Sequence, residues 1–194
     1  MLIIVRHGRT VANAGGLLQG RVDHPLDEVG VQQAQDIAAA LGRVDLVVSS
    51  PLLRAHQTAQ HVAEAVGTEV QVDDRWIELD YGDWEARPVA DVAPEEWARW
   101  RADRHFAPPG GESLHQLNQR VWEACEELCE AAAEGDVAVF THVSPIKSTM
   151  AWALGLDDEI SWRMHVAQAQ VSRIAMRGGR PAVSSFNETH HLSP

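Results

Sequence analysis

Two histidines, two arginines and a glutamate stand where their chemistry can be pooled. His7 follows the apolar run Leu2-Ile3-Ile4-Val5 and is flanked by Arg6 and Gly8. His142 follows Val137-Ala138-Val139-Phe140 and Thr141 in the same way, and Arg54 comes soon after Ser50-Pro51, which closes the run Leu46-Val47-Val48. Guanidinium groups present paired donors that match phosphoryl oxygens and stay charged. Imidazole is a competent nucleophile toward phosphorus, forming a phosphohistidine that water later opens. Asn13 adds a hydrogen-bond donor, as do the amides of helix N-termini. The chemistry still needs a proton donor for the leaving alkoxide. Glu78, in Trp76-Ile77-Glu78-Leu79-Asp80-Tyr81-Gly82-Asp83-Trp84-Glu85, leads for that role. Apolar neighbours and nearby carboxylates are a setting in which a carboxyl serves as general acid, and Asp80, Asp83 and Glu85 compete with it.

These residues meet only if the chain brings strand ends together. The three apolar runs read as buried strands, each ending on polar residues and then a loop or helix. In a parallel sheet such ends share one edge, where α/β proteins place their sites. Residues 8 to 26 read as a long loop. Ala34, Ile37, Ala38 and Leu41 mark a helix over 27–41 that ends near Gly42. Ser50-Pro51 and Ser144-Pro145 each read as a cap followed by proline, opening helices that run to about Val66 and Leu154. Residues 69–72 suggest another strand. Ser113 and Gln116 fit a capping box at the head of a helix to about Ala133. Residues 167–176 and 182–187 read as closing strands, and the tail from Thr189 to Pro194 as loose. Alternating strands and helices predict an α/β fold: a three-layer α/β/α sandwich with a mainly parallel central sheet. The expectation is one domain over 1–194, with a lid-like segment at about 73–112 containing a short helix near 94–103.

The 194 residues carry 28 acidic and 16 basic side chains, a net charge of −12. That balance argues against nucleic acid and anionic membranes as partners, so cations for an anionic substrate must be gathered locally. No apolar stretch approaches the length of a membrane span, and the early Arg6 disfavours a secretory leader; the expected location is cytoplasmic. Cys125 and Cys129, four apart in a helical pattern, read as reduced core thiols.

Taken together and in order, Arg6-His7-Gly8-Arg9-Thr10 with Asn13, Gln19-Gly20, Ser49-Ser50-Pro51 with Arg54 and Thr58, the Glu78 to Trp84 segment, Gly110-Gly111-Glu112-Ser113 and His142 resemble the histidine phosphatase superfamily, the phosphoglycerate-mutase-like group. The resemblance implies that His7 is the phosphorylated nucleophile. It makes Arg6, Arg54, Asn13 and His142 the phosphate pocket, and Glu78 the acid that protonates the leaving oxygen and then activates water. It places Gln19, Gly20 and Arg21 in the loop that edges the substrate, and it implies no metal and no organic cofactor. Val143-Ser144 stand where the common pattern has two glycines, and Ala86 where glycine is frequent.

The function expected is hydrolysis of a small phosphate ester through a phosphohistidine. The phosphatase branch it resembles includes α-ribazole phosphatases and broad-specificity acid phosphatases. A phosphoglycerate mutase is the alternative, disfavoured because residues 85–112 are short. A metallohydrolase lacks a helix-borne pair of histidine ligands, and an idle binding module would lack the nucleophile or an arginine. The other histidines, His24 among them, read as structural or exposed. Trp97 and Trp100 are open between contacting a bulky substrate group and packing the helix. The partner expected is a phosphorylated small molecule; oligomeric state stays open, a homodimer included.

Overall fold

In the computed structural model, which describes residues 1–193, β-branched and aliphatic runs form the inner strands of a six-stranded sheet of order β3-β2-β4-β1-β5-β6. The strands are β1 (Leu2–Arg6), β2 (Leu46–Ser49), β3 (Val70–Val72), β4 (Val137–Thr141), β5 (Val171–Arg177) and β6 (Arg180–Glu188). The first four pair in parallel; β5 and β6 add an antiparallel edge. The helices are α1 (Val11–Ala14), α2 (Glu28–Leu41), α3 (Leu53–Val66), α4 (Pro94–Ala102), α5 (Leu114–Glu134) and α6 (Val143–Leu154).

The strand period of two divides the core into two layers. Leu2, Ile4, Val48, Val137 and Val139 pack with Leu117, Val121, Ile146 and Met150 of α5 and α6. Ile3, Val5, Val47, Ala138 and Phe140 face the other way, onto Ile37 of α2 and Ala59 and Val62 of α3. The expected α/β/α sandwich is present. Each fully buried aliphatic side chain of this kind stabilises the fold by roughly 1.5–3 kcal/mol, which outweighs the weak propensity of short strands.

Register then sets the working edge. Arg6 lies opposite Thr141 and Ser49 opposite Phe140, so His7, Ser50 and His142 leave the sheet side by side.

Several local expectations need correction. Neither Ser-Pro pair caps its helix: α3 starts at Leu53, its first amide bound by Asp23 at 2.7 Å, and α6 starts at Val143 behind His142. Both serines are instead used within the site. The loop over 8–26 holds α1, whose Thr10 and Asn13 form a capping box. At Gly30, in the first turn of α2, a Cβ would come within 2.0 Å of the Arg9 carbonyl; its bareness lets α2 approach the chain just beyond His7. In the closing hairpin β5 starts later than expected, at Val171, and both strands run closer to the turn, which is tight at Gly178-Gly179 with both φ positive. The tail is not loose: His191 contacts the Ala169 carbonyl at 3.0 Å and the Ser193 amide donates to Asp36 at 2.9 Å. Pro194 lies outside the described residues.

Between β3 and α5 the chain makes short 3₁₀ turns at 74–76, 82–84 and 89–91 before α4. Trp76, Leu79, Trp84 and Trp100 of this segment are buried in the core layer beside α5 and α6. Backbone bonds from Leu18 to Arg87 and from Ala86 to Leu18 fasten it to the loop after α1.

Candidate active site

His7 is buried at the end of β1, and its Nδ1 lies 2.7 Å from the Gly8 carbonyl. A carbonyl only accepts, so Nδ1 carries the hydrogen and Nε2 holds a free lone pair. Arg54 Nε donates to that lone pair at 3.3 Å. Burial, then the charges of Arg54 and Arg6, push the His7 pKa well below its ordinary value and keep the imidazole neutral. A neutral ring with an unprotonated Nε2 is the nucleophilic form.

The two arginines are held from behind. Arg54 Nη1 and Nη2 donate to the carbonyls of Val22 and Gly20 at 2.9 and 2.7 Å, and Arg6 Nη1 donates to Val166 O at 2.7 Å. Arg6 Nε is buried with no partner among the described residues, a donor that a phosphoryl oxygen would satisfy. Burial lowers the Arg6 pKa to about 10, opposed by Glu78, which leaves it cationic at neutral pH.

A cavity of about 200 Å³ opens over these groups, lined by Arg6, His7, Asn13, Gln19, Arg54 and Glu78, with Gly20, Tyr81 and Val143 among its other walls. Asn13 spends its carbonyl oxygen on Thr10, leaving the side-chain NH₂ as its donor. Gln19 is buried, its oxygen accepting from the Thr10 hydroxyl at 2.9 Å. Gly20 has φ +52°, a conformation that favours glycine where the loop passes Arg54, and a Cβ there would push aside the Glu85 carboxylate. Arg21 is not brought in: its exposed guanidinium pairs with Asp80 at 3.2 Å and Glu112 at 3.4 Å.

His142 is fully buried beside His7, with ring centroids 5.1 Å apart. Its Nε2 lies 2.7 Å from Ser50 Oγ, and Ser50 Oγ accepts the Leu52 amide at 3.3 Å. The serine hydrogen is therefore free to go to Nε2, which leaves Nδ1–H as the donor; that atom is buried without a partner among the described residues. Burial and then Arg54 hold the His142 pKa well below its ordinary value.

Glu78 is gripped by three amides. Oε1 accepts from Leu79 N at 2.8 Å and Ser144 N at 3.1 Å, and Oε2 from Val143 N at 3.1 Å. The carboxylates expected around it are turned elsewhere, Asp80 to the Gly82 amide and Arg21, Glu85 to the amides of Arg21 and Tyr81. The surroundings of Glu78 are amides at the head of α6 and the Arg6 charge. The amides of Val143 and Ser144 hold the Glu78 carboxylate, and backbone donors of this kind do not require glycine.

Arg120 was not singled out in the sequence, where it reads as one more charge on α5. Nη1 donates to the carbonyls of Arg75 and Ile77 at 2.6 and 2.8 Å and Nη2 to that of Glu78 at 3.2 Å, while Glu112 pairs with the same guanidinium at 2.8 Å. Its place at i+8 from Glu112, within a helix beginning at Ser113, was the only signal. Thr58 accepts the Gly8 amide at 3.1 Å and fixes the turn after His7. Among the described residues, no three His, Cys, Asp or Glu side chains gather as metal ligands.

Residues 2–189 match the histidine phosphatase superfamily (branch 1). Phosphoserine phosphatase 1 of Hydrogenobacter thermophilus is 36% identical over 197 residues, covering 98% of this chain and 93% of that protein. A bifunctional protein of Mycobacterium tuberculosis is 35% identical over 98% of this chain, but the chain spans only 54% of its length, about half. The solved mycobacterial glucosyl-3-phosphoglycerate phosphatase, complexed with vanadate, superposes with a TM-score of 0.89 at 30% identity, covering 97% of this chain and 99% of that one. With the strand-end histidines, the arginines and the acid in one place, the chain belongs to the histidine phosphatase superfamily.

Proposed function

We propose that the protein hydrolyses small phosphate monoesters through a phosphohistidine on His7. The observation that carries this is the neutral His7 ring with its Nε2 lone pair turned to Arg54 in a cavity that also presents Arg6 and Glu78. In the first half-reaction Nε2 forms a bond to phosphorus as the ester oxygen leaves. Glu78 supplies the proton that oxygen needs. In the second, Glu78 takes a proton from water, the water oxygen attacks phosphorus, and the P–N bond breaks to return neutral His7 and inorganic phosphate. Arg6, Arg54, Asn13 and the His142 Nδ1–H bind the equatorial oxygens, where charge spreads in the transition state. No residue of this scheme calls for a metal or organic cofactor.

Hydrolysis is preferred over mutase transfer because a phosphoserine phosphatase is 36% identical over 98% of this chain, against 32% over 88% for probable phosphoglycerate mutases of Yersinia, and solved phosphatases superpose over nearly its whole length. No helix among the described residues is long and apolar enough to cross a membrane. The test is a panel of monoesters that includes 3-phosphoglycerate, α-ribazole phosphate and sugar phosphates, with free phosphate measured. Release from at least one, lost in His7→Ala, is expected. Isomerisation of phosphoglycerate without phosphate release, or full activity in His7→Ala, overturns the proposal.

A further inference from the structure

A second cavity, of about 160 Å³, adjoins the first and shares Tyr81 and Val143 with it. That is the scale of space that holds a single benzene ring. Its walls are aromatic: Trp97 and Trp100 of α4 lie stacked at 11° with centroids 5.6 Å apart, and Trp162 and Tyr81 meet Trp100 edge-on at 5.4 and 5.9 Å. Aromatic walls favour a flat ring over an extended polar chain.

One charged group, Lys147, breaks this lining, beside the hydroxyls of Ser144 and Ser161. Lys147, on α6 one turn beyond Val143, lines the cavity half-buried and makes no ion pair or hydrogen bond among the described residues. The buried indole N–H of Trp100 has no partner among the described residues. Both are donors. Burial lowers the Lys147 pKa, while the Glu78 charge across the site opposes that shift. The aromatic walls alone would suit a quaternary ammonium. An ammonium already in the cavity makes a second cation unfavourable and an anion welcome.

We infer that this cavity is the subsite for the alcohol portion of the substrate, and that it takes a flat ring carrying a carboxylate, with Lys147 as the residue that reads the negative group. The inference rests on the proposed hydrolysis at His7, which explains why an organic group would be anchored next door. The shared walls Tyr81 and Val143 provide the continuity: a phosphoryl group over His7 leaves its ester oxygen beside Glu78, and Val143, whose amide holds Glu78, faces both spaces. Trp97 and Trp100 then take on both roles left open by their spacing, since one face packs the helix and the other borders the ligand.

The test separates binding from turnover. Benzylphosphonate and its meta- and para-carboxy derivatives, which cannot be hydrolysed, are titrated by calorimetry. At least one carboxylated ligand should bind tenfold or more tightly than the parent, and Lys147→Met should bring the two within about twofold. Lys147→Arg should restore most of the preference. Benzyl phosphate and the matching carboxybenzyl phosphate, assayed for phosphate release, should show the same ratio in kcat/KM. Equal binding of the parent and both carboxylated ligands by the wild-type protein, or a preference that persists in Lys147→Met, overturns the subsite assignment. Absence of phosphate release from every monoester, with the carboxylate preference in binding intact, would overturn the hydrolytic reading and leave the subsite standing.

Discussion

Arg54 Nε and His7 Nε2 face each other at 3.3 Å, so the cation that would receive the phosphoryl oxygens also points at the lone pair that would attack phosphorus. One guanidinium thereby aligns the nucleophile and marks where charge develops. Lysine at 54 would retain charge but could not reach His7 together with the Gly20 and Val22 carbonyls. Arg54→Lys is expected to lower kcat/KM by roughly 10²–10³, the scale of losing one preorganised donor to a developing oxyanion. Steady-state phosphate release measures this, and a loss under threefold would remove Arg54 from the phosphate pocket.

Acid should destabilise the protein through its two buried imidazoles. His7 and His142 both have pKa values well below the ordinary 6.5. Below pH 6.5 the unfolded chain binds protons at these positions that the folded chain refuses, so stability rises with pH and is lost as pH falls beneath that value. Each histidine contributes up to about 1.4 kcal/mol per pH unit within that window. Urea unfolding between pH 7.5 and 5 should show the decline, and His7→Asn should make it shallower. An unchanged slope in that variant would mean that His7 titrates normally.

Replacing Glu78 should be felt according to the leaving group. Glu78→Gln is expected to cut hydrolysis of alkyl phosphates by 10²–10⁴, the usual contribution of a positioned acid, and to spare p-nitrophenyl phosphate by at least tenfold in comparison, because nitrophenolate leaves without a proton. Equal losses on both esters would count against the acid role. Three amides face the carboxylate, so the new NH₂ group must oppose one of them.

Ser50 acts on His142 and does not line the substrate cavity. Ser50→Ala removes the hydroxyl that fixes Nδ1–H as the donor, and kcat should fall about tenfold with little change in KM, an order-of-magnitude expectation for a mispositioned hydrogen bond of about 1.4 kcal/mol. Nitrogen-15 spectra of the His142 ring supply the independent readout: the wild type should show the Nδ1–H tautomer and the variant a mixture. A single unchanged tautomer would show that Ser50 does not set it.

Arg120 ties the Glu78 segment to α5 through three carbonyls and Glu112. Arg120→Met leaves those carbonyls without their donor and Glu112 with the longer Arg21 pair alone among the described residues, which should cost about 1–3 kcal/mol in urea unfolding. Turnover of alkyl phosphates should drop more than that of p-nitrophenyl phosphate, since the acid is what becomes misplaced. A variant of unchanged stability would show that the segment holds itself.

How much of this was legible follows from how local each feature is. The strands ending on His7, Ser49 and His142 were readable because an apolar run followed by polar residues is a signal within five to seven positions. The capping box at Ser113 and Gln116 is likewise contained within four residues, and the structure shows it intact. The Ser-Pro pairs misled for the opposite reason: their serines satisfy partners far away in sequence, the His142 ring for Ser50 and the Glu78 carboxylate for the Ser144 amide, and the helix starts yield to those bonds.

The sequence by itself determined the fold class and the order in which His7, Arg54, Glu78 and His142 would be delivered, because period and residue type need no partner to be read. Tertiary structure alone decided which atoms those residues present. The carbonyl of Gly8 selects Nε2 of His7 as the free nitrogen, the amides of Val143 and Ser144 aim Glu78, and Asp80 and Glu112 draw Arg21 away. Each is a contact between segments folded together from distant parts of the chain, and hydrogen bonds of that kind leave no periodic trace along it.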